Sequence, residues 1–247
     1  MKVRTPKICT VLAASCIALA GFIASAEASP IPAFSVEVGP EGNAVVLNPQ
    51  GEDYGDGTFG FHGEMTANPA WDLEWDVTVD PDPFISAVMG FTNTMGTTQT
   101  FVLNVVLPIF PPVTPSSVIG GSIALTLTDA NGDGSALLTS DSPTPIYYGT
   151  IDGSPVLPLF SDPYSLSVGI AGGSTNDNTS AGLPGPTIPG PAALTEIGIS
   201  HTFTLSPGDK ATLVSVFVVE AVPEPGTLAL TGLLVVGLAM GGRRRRR

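Results

Sequence analysis

The chain has 247 residues, 22 acidic and 9 basic side chains, 43% hydrophobic residues, 29 Gly and 24 Pro. Eight of the nine bases sit at the two ends. Residues 29–222 hold twenty carboxylates against Lys210 alone, a net charge of about −19 that repels nucleic acid and anionic lipid and attracts divalent cations loosely. Cys9 and Cys16 both precede residue 29, so the body of the protein lacks thiols, which excludes disulfides, thiol redox chemistry and cysteine metal sites there.

The chain opens with Lys2, Arg4 and Lys7, then an apolar run from Ile8 to Ile23, then small residues that suit cleavage after Ala26 or Ala28. This predicts a helical secretory signal peptide over 1–28. The exported domain, 29–222, then starts as a chain of about 194 residues, enough to bury a core without covalent staples.

Alternation with period two governs this domain. Phe34, Val36 and Val38 alternate with Ser35 and Glu37. Glu52-Asp53-Tyr54-Gly55-Asp56-Gly57 follows as an acidic, glycine-rich surface loop with no defined cation cage. Leu73, Trp75, Val77 and Val79 share an apolar face opposite Asp72, Glu74 and Asp76. This phase puts Trp75 in the core and leaves Trp71 at an exposed strand entrance, where with Tyr147 and Tyr148 it could stack on sugars. The carboxylates of that strand suit a solvated face that blocks edge pairing better than a glycosidase pair. Leu107 to Pro115 is proline-rich, and predicts an extended edge or a crossover between sheets.

Ile123, Leu125 and Leu127 form another alternating run, ending at Asp129-Ala130-Asn131-Gly132-Asp133-Gly134-Ser135. Side-chain oxygens on Asp129, Asn131, Asp133 and Ser135, with Gly at the sixth position, are the spacing that wraps Ca²⁺. The twelfth position departs from that pattern: it is Ser140, where a bidentate Glu is wanted, and Asp141 comes one place late. The same residues are good turn chemistry, and predict a hairpin joining 123–128 to 135–139. A bound cation would add to that turn without replacing it.

Tyr164, Leu166, Val168 and Ile170 alternate next, and residues 172–191 then read as a long surface loop with little to build a core. Ile197, Ile199, His201, Phe203 and Leu205 share a face before Ser206-Pro207-Gly208-Asp209, and a last strand spans Ala211–Glu220, which reads as a hairpin. His201 is in phase with the core, which favours a hydrogen-bonded interior group over a catalytic base. No Gly-x-Ser-x-Gly sequence anchors a serine triad. The whole predicts an all-β, antiparallel two-sheet β-sandwich.

The chain closes on Pro223-Glu224-Pro225, an uncharged run from Thr227 to Gly242, and Arg243, Arg244, Arg245, Arg246 and Arg247. As a helix the run reaches roughly 24 Å, short of the ~30 Å hydrocarbon layer, so it predicts a marginal transmembrane helix. The arginines hold its end in the cytoplasm and leave the acidic domain outside. Motif, span and basic terminus in this order resemble the PEP-CTERM sorting domain of Gram-negative bacteria. The resemblance covers about the last 25 residues and implies that Pro223, Glu224 and Pro225 are recognised by an exosortase-type processing enzyme. It further implies transient residence in the inner membrane, then delivery to the cell surface or matrix, with exopolysaccharide as a partner. The sequence therefore reads as an exported, non-catalytic surface or matrix protein. A Ca²⁺-dependent carbohydrate-binding module is the alternative, and a secreted hydrolase the third reading.

Overall fold

The computed structural model describes residues 31–66 and 68–222. The expected signal peptide, the Pro223–Pro225 motif, the apolar run and the terminal arginines lie outside the described residues. Sixteen strands follow one another, with no helix among the described residues. They begin with β1 (Ser35–Pro40), β2 (Val45–Leu47), β3 (Glu52–Asp53), β4 (Phe59–Met65), β5 (Trp71–Asp80) and β6 (Phe84–Asn93). The middle of the chain forms β7 (Gln99–Pro108), β8 (Ser117–Thr128), β9 (Ala136–Thr139), β10 (Tyr147–Ile151) and β11 (Ser154–Leu159). The rest forms β12 (Ser165–Val168), β13 (Ser174–Ala181), β14 (Ile188–Gly190), β15 (Glu196–Leu205) and β16 (Lys210–Ala221).

All pairings are antiparallel and fall into two sheets. One runs β11-β10-β15-β7-β1-β2, with β9 and β12 attached beside β15; the other runs β13-β8-β16-β6-β5-β4-β3, with β14 beside β8. The alternation read from the sequence explains their packing. Val36, Val38, Leu103, Val105, Ile197 and Ile199 of the first sheet are buried with Leu73, Val77, Ile123, Leu125, Leu213 and Phe217 of the second. Phe91 lies against Phe101 and Phe203, with ring centroids 4.5 and 5.7 Å apart, and so joins the two sheets through aromatic contact.

Three expectations need correction. The turns at 129–135 and 206–209 do not close hairpins: β8 and β16 belong to one sheet, β9 and β15 to the other. Each turn arches over the end of the core, so the apolar faces of its two strands oppose one another across the interior. Alternation cannot distinguish this from a hairpin, because both bury the same residues. Second, residues 172–191 are not one long loop, since two strands, 174–181 and 188–190, occupy most of the stretch. β13 pairs with β8 from Ser174↔Thr128 to Ala181↔Gly121, and β14 continues at Ile188↔Ile119. β13 is polar on both faces apart from Ala181, and exposed or half-buried along its length; it satisfies the outer backbone groups of β8 while burying little apolar surface. Third, Ile170 does not continue the alternation of β12. It is 74% exposed in the turn beyond that strand.

Residues 109–116 carry the chain from β7 in one sheet to β8 in the other, so that of the two expected forms, edge or crossover, the stretch takes the crossover. This crossover marks the end of the sandwich where the described chain both starts and stops. Ser35 pairs with Val106 just before it, and the Val222 N–H donates to Ser116 O (3.3 Å) just after it. The 129–135 and 206–209 arches lie at the other end of β8, twelve residues away, or roughly 40 Å.

Candidate functional site

The two arches lie against each other. Asn131 Nδ2 donates to Pro207 O (2.8 Å), and a Cβ on Gly208 would stand 2.9 Å from the Asn131 side chain. Gly132 (φ +75°), Gly134 (φ +87°) and Gly208 (φ +72°) all take the left-handed backbone that these tight bends require.

Asp129 is buried at the end of β8 and organises the first arch. Its Oδ1 accepts from Gly132 N (2.9 Å), and its Oδ2 from Gly134 N (2.8 Å) and Gly172 N (3.1 Å). Burial works to raise its pKa, but the amides of Gly134, Gly172 and Gly132 outweigh it and hold the carboxyl below the usual range. Asn131 and Asp133 are exposed. Asn131 Oδ1 accepts from Asp133 N (2.8 Å), Asn131 Nδ2 donates to Asp133 Oδ2 (3.1 Å), and Asp133 Oδ1 accepts from Ser135 N (2.8 Å). Three of the four residues singled out for a cation thus use side-chain oxygens to shape the loop, while Ser135 contributes its backbone.

The second arch supplies a carboxylate that the sequence reading passed over. Asp209 is buried; one of its oxygens accepts from the Ser206 hydroxyl, and the other, Oδ1, has no hydrogen-bond partner. Burial pushes the Asp209 carboxyl up; the Ser206 hydrogen bond opposes this, and the charges of Asp129 and Asp133 add to it. Asn93, also buried, anchors this arch by donating from Nδ2 to Leu205 O (2.9 Å) and Ser206 O (3.1 Å). In the sequence Asp209 looked like one more residue of a Ser-Pro-Gly-Asp turn. Nothing there signalled that it faces the loop eighty positions earlier.

The other nominated residues are dispersed. Trp71 is buried while Trp75 is half-buried, the reverse of the expectation. Tyr147 points into the core and donates to Val216 O (2.9 Å) across the sheets; Tyr148 faces outward. His201 is buried, with Nε2 2.8 Å from Ser215 Oγ and its ring edge-on to Tyr147 at 5.7 Å. His62 is exposed, 3.7 Å from Glu52. Asp53 and Asp56 shape the loop before β4: Asp53 Oδ1 accepts from Gly55 N (2.7 Å), and Asp56 Oδ1 from Thr58 N (3.0 Å) and Thr58 Oγ1 (2.6 Å). On the outer face of β5, Glu74 pairs with Lys210 at 3.0 Å.

A row of outward polar groups crosses the first sheet. Tyr148, Ser200, Asn104 and Glu37 lie directly opposite one another on β10, β15, β7 and β1. Asn104 Nδ2 donates to Glu37 Oε2 (2.8 Å), and a groove of about 220 Å³ runs past Glu37, Asn104, Thr150 and Ser200. Gly198 helps to open this groove, because a Cβ there would stand 2.6 Å from Thr150 Oγ1. No model of a known protein family matches the chain, and no curated protein matches it.

Proposed function

We propose that the protein is an exported, non-catalytic cell-surface or extracellular-matrix component sorted through its C-terminal segment. The observation that carries this reading is the order of Pro223-Glu224-Pro225, the uncharged run and five terminal arginines behind a body whose only base is Lys210. The structure is compatible with that topology. Because Val222 leaves at the 109–116 end, an anchored body would present its two arches away from the bilayer. Exopolysaccharide is the proposed partner, received on the outer face of the first sheet, where Ser200, Asn104 and Glu37 offer hydrogen-bonding groups in register with Tyr148. The Ca²⁺-dependent carbohydrate-binding alternative draws its support from the carboxylates at the arches.

Mass spectrometry of the protein from envelope and medium tests the sorting. The expected species starts at Glu27 or Ser29 and lacks Arg243–Arg247. An intact precursor dissolved in the cytoplasm during normal growth would refute it.

A further inference from the structure

We propose that the corner where the two arches meet binds one Ca²⁺ ion, with Asp209 joining Asp129 and Asp133 as ligands. The loop pattern at 129–135 is by itself only good turn chemistry. The second observation comes from the other arch: Asp209 Oδ1 is buried and has no hydrogen-bond partner, although the Ala130 N–H approaches its carboxylate. A buried carboxylate oxygen left unpaired is costly, and a bound ion is one of the few ways to satisfy it.

Charge adds to the case. Three carboxylates gather at this corner, and the only Lys or Arg among the described residues, Lys210, turns its ammonium to Glu74 on the outer face of the second sheet. One further oxygen, Pro207 O, converges with Asp133 Oδ2 on the amide nitrogen of Asn131, at 2.8 and 3.1 Å. That N–H₂ is the positive end of a dipole, in a place that suits a cation. As placed, no three acidic, imidazole or thiol groups among the described residues close on a common point. Closure therefore requires Asp133, exposed and held by short local bonds, to turn inward. Ca²⁺ tolerates such an irregular set of six to eight oxygens, including carbonyls and waters, whereas Mg²⁺ demands a near-ideal octahedron.

The test uses the full-length chain in detergent solution, stripped with a chelator and dialysed. CaCl₂ and MgCl₂ are titrated by calorimetry, and thermal midpoints are recorded. Ca²⁺ is expected to give one saturable site and, at about a hundredfold excess over Kd, a rise in Tm of roughly 5 °C or more, with Mg²⁺ much weaker. Asp209→Asn and Asp133→Asn should each weaken binding at least about tenfold, while Asp53→Asn in the other acidic loop leaves it unchanged. Absence of saturable heat in the wild-type protein overturns the proposal. So does Ca²⁺ binding that survives Asp209→Asn, which would leave the ion to the first loop or to another site. If Asp209→Asn does not fold, Asp133→Asn decides, because Asp133 is exposed and its loss leaves the core intact; unchanged binding in that variant overturns the proposal too.

Discussion

His201 provides a measurable test of how the two sheets are held together. It lies on β15, its Nε2 reaches Ser215 Oγ on β16 across the core at 2.8 Å, and Tyr147 packs edge-on against its ring. Its Nδ1 has no partner, although the Leu103 backbone lies beside it. Burial lowers its pKa from 6.5 to about 4, with the Leu103 contact opposing. Because the folded value lies below the unfolded one, the unfolded chain takes up the proton first as the medium is acidified. The stability that His201 contributes is therefore complete above pH 6.5 and is lost as the pH falls from there toward 4. Taking both values, the loss between pH 7.5 and 4.5 is on the order of 2–3 kcal/mol. The assay is urea unfolding of the wild-type protein and of His201→Gln across that range. The exposed His62 and the carboxylates are common to both proteins, so the difference between the two curves isolates His201. The variant should be less stable at pH 7.5, and the gap should narrow by roughly 2–3 kcal/mol at pH 4.5. Parallel curves, with a gap constant to about 0.5 kcal/mol, would show that the imidazole is not the buried neutral group described here.

Three further outcomes follow from the packing. A Cβ on Gly149 would stand 2.4 Å from the Phe217 ring, between the sheets, so Gly149→Ala should cost about 2–3 kcal/mol in denaturant unfolding; a neutral effect would mean that the sheets are not in contact there. Trp71→Ala should cost about 3–5 kcal/mol and Trp75→Ala clearly less, by the same assay, because the first ring is wholly buried and the second is not; the opposite ranking would restore the expectation from sequence phase. Alternate backbone amides of residues 174–181 should be protected in hydrogen exchange, since those facing β8 are in its ladder; uniform fast exchange would return this segment to a loop.

The strands with one apolar and one polar face were legible from residue type alone. Leu73, Val77 and Val79, Ile123 to Leu127, and Ile197 to Leu205 are buried where period two puts them. His201 followed from the same phase. β13 was invisible because its pairing is carried by backbone groups, and Ser, Thr, Asn and Asp side chains leave no hydrophobic trace of it. Trp71 and Trp75 share one phase, so the sequence had no means of ranking their burial; depth along the strand and the neighbouring sheet decided it.

The candidate site divides in the same way. Asp129, Asn131 and Asp133 announce themselves by spacing, because a tight loop brings near neighbours together whatever the fold. Asp209 could not be found so, since it reaches them only through two arches that cross between sheets at one end of the sandwich. Local chemistry is written in consecutive residues: charge segregation, strand phase and the glycines of a turn. Which sheet a strand joins, and which distant carboxylate it brings to a loop, depends on how apolar faces find one another across the core, and identical patterns of alternation permit several answers until the whole chain packs.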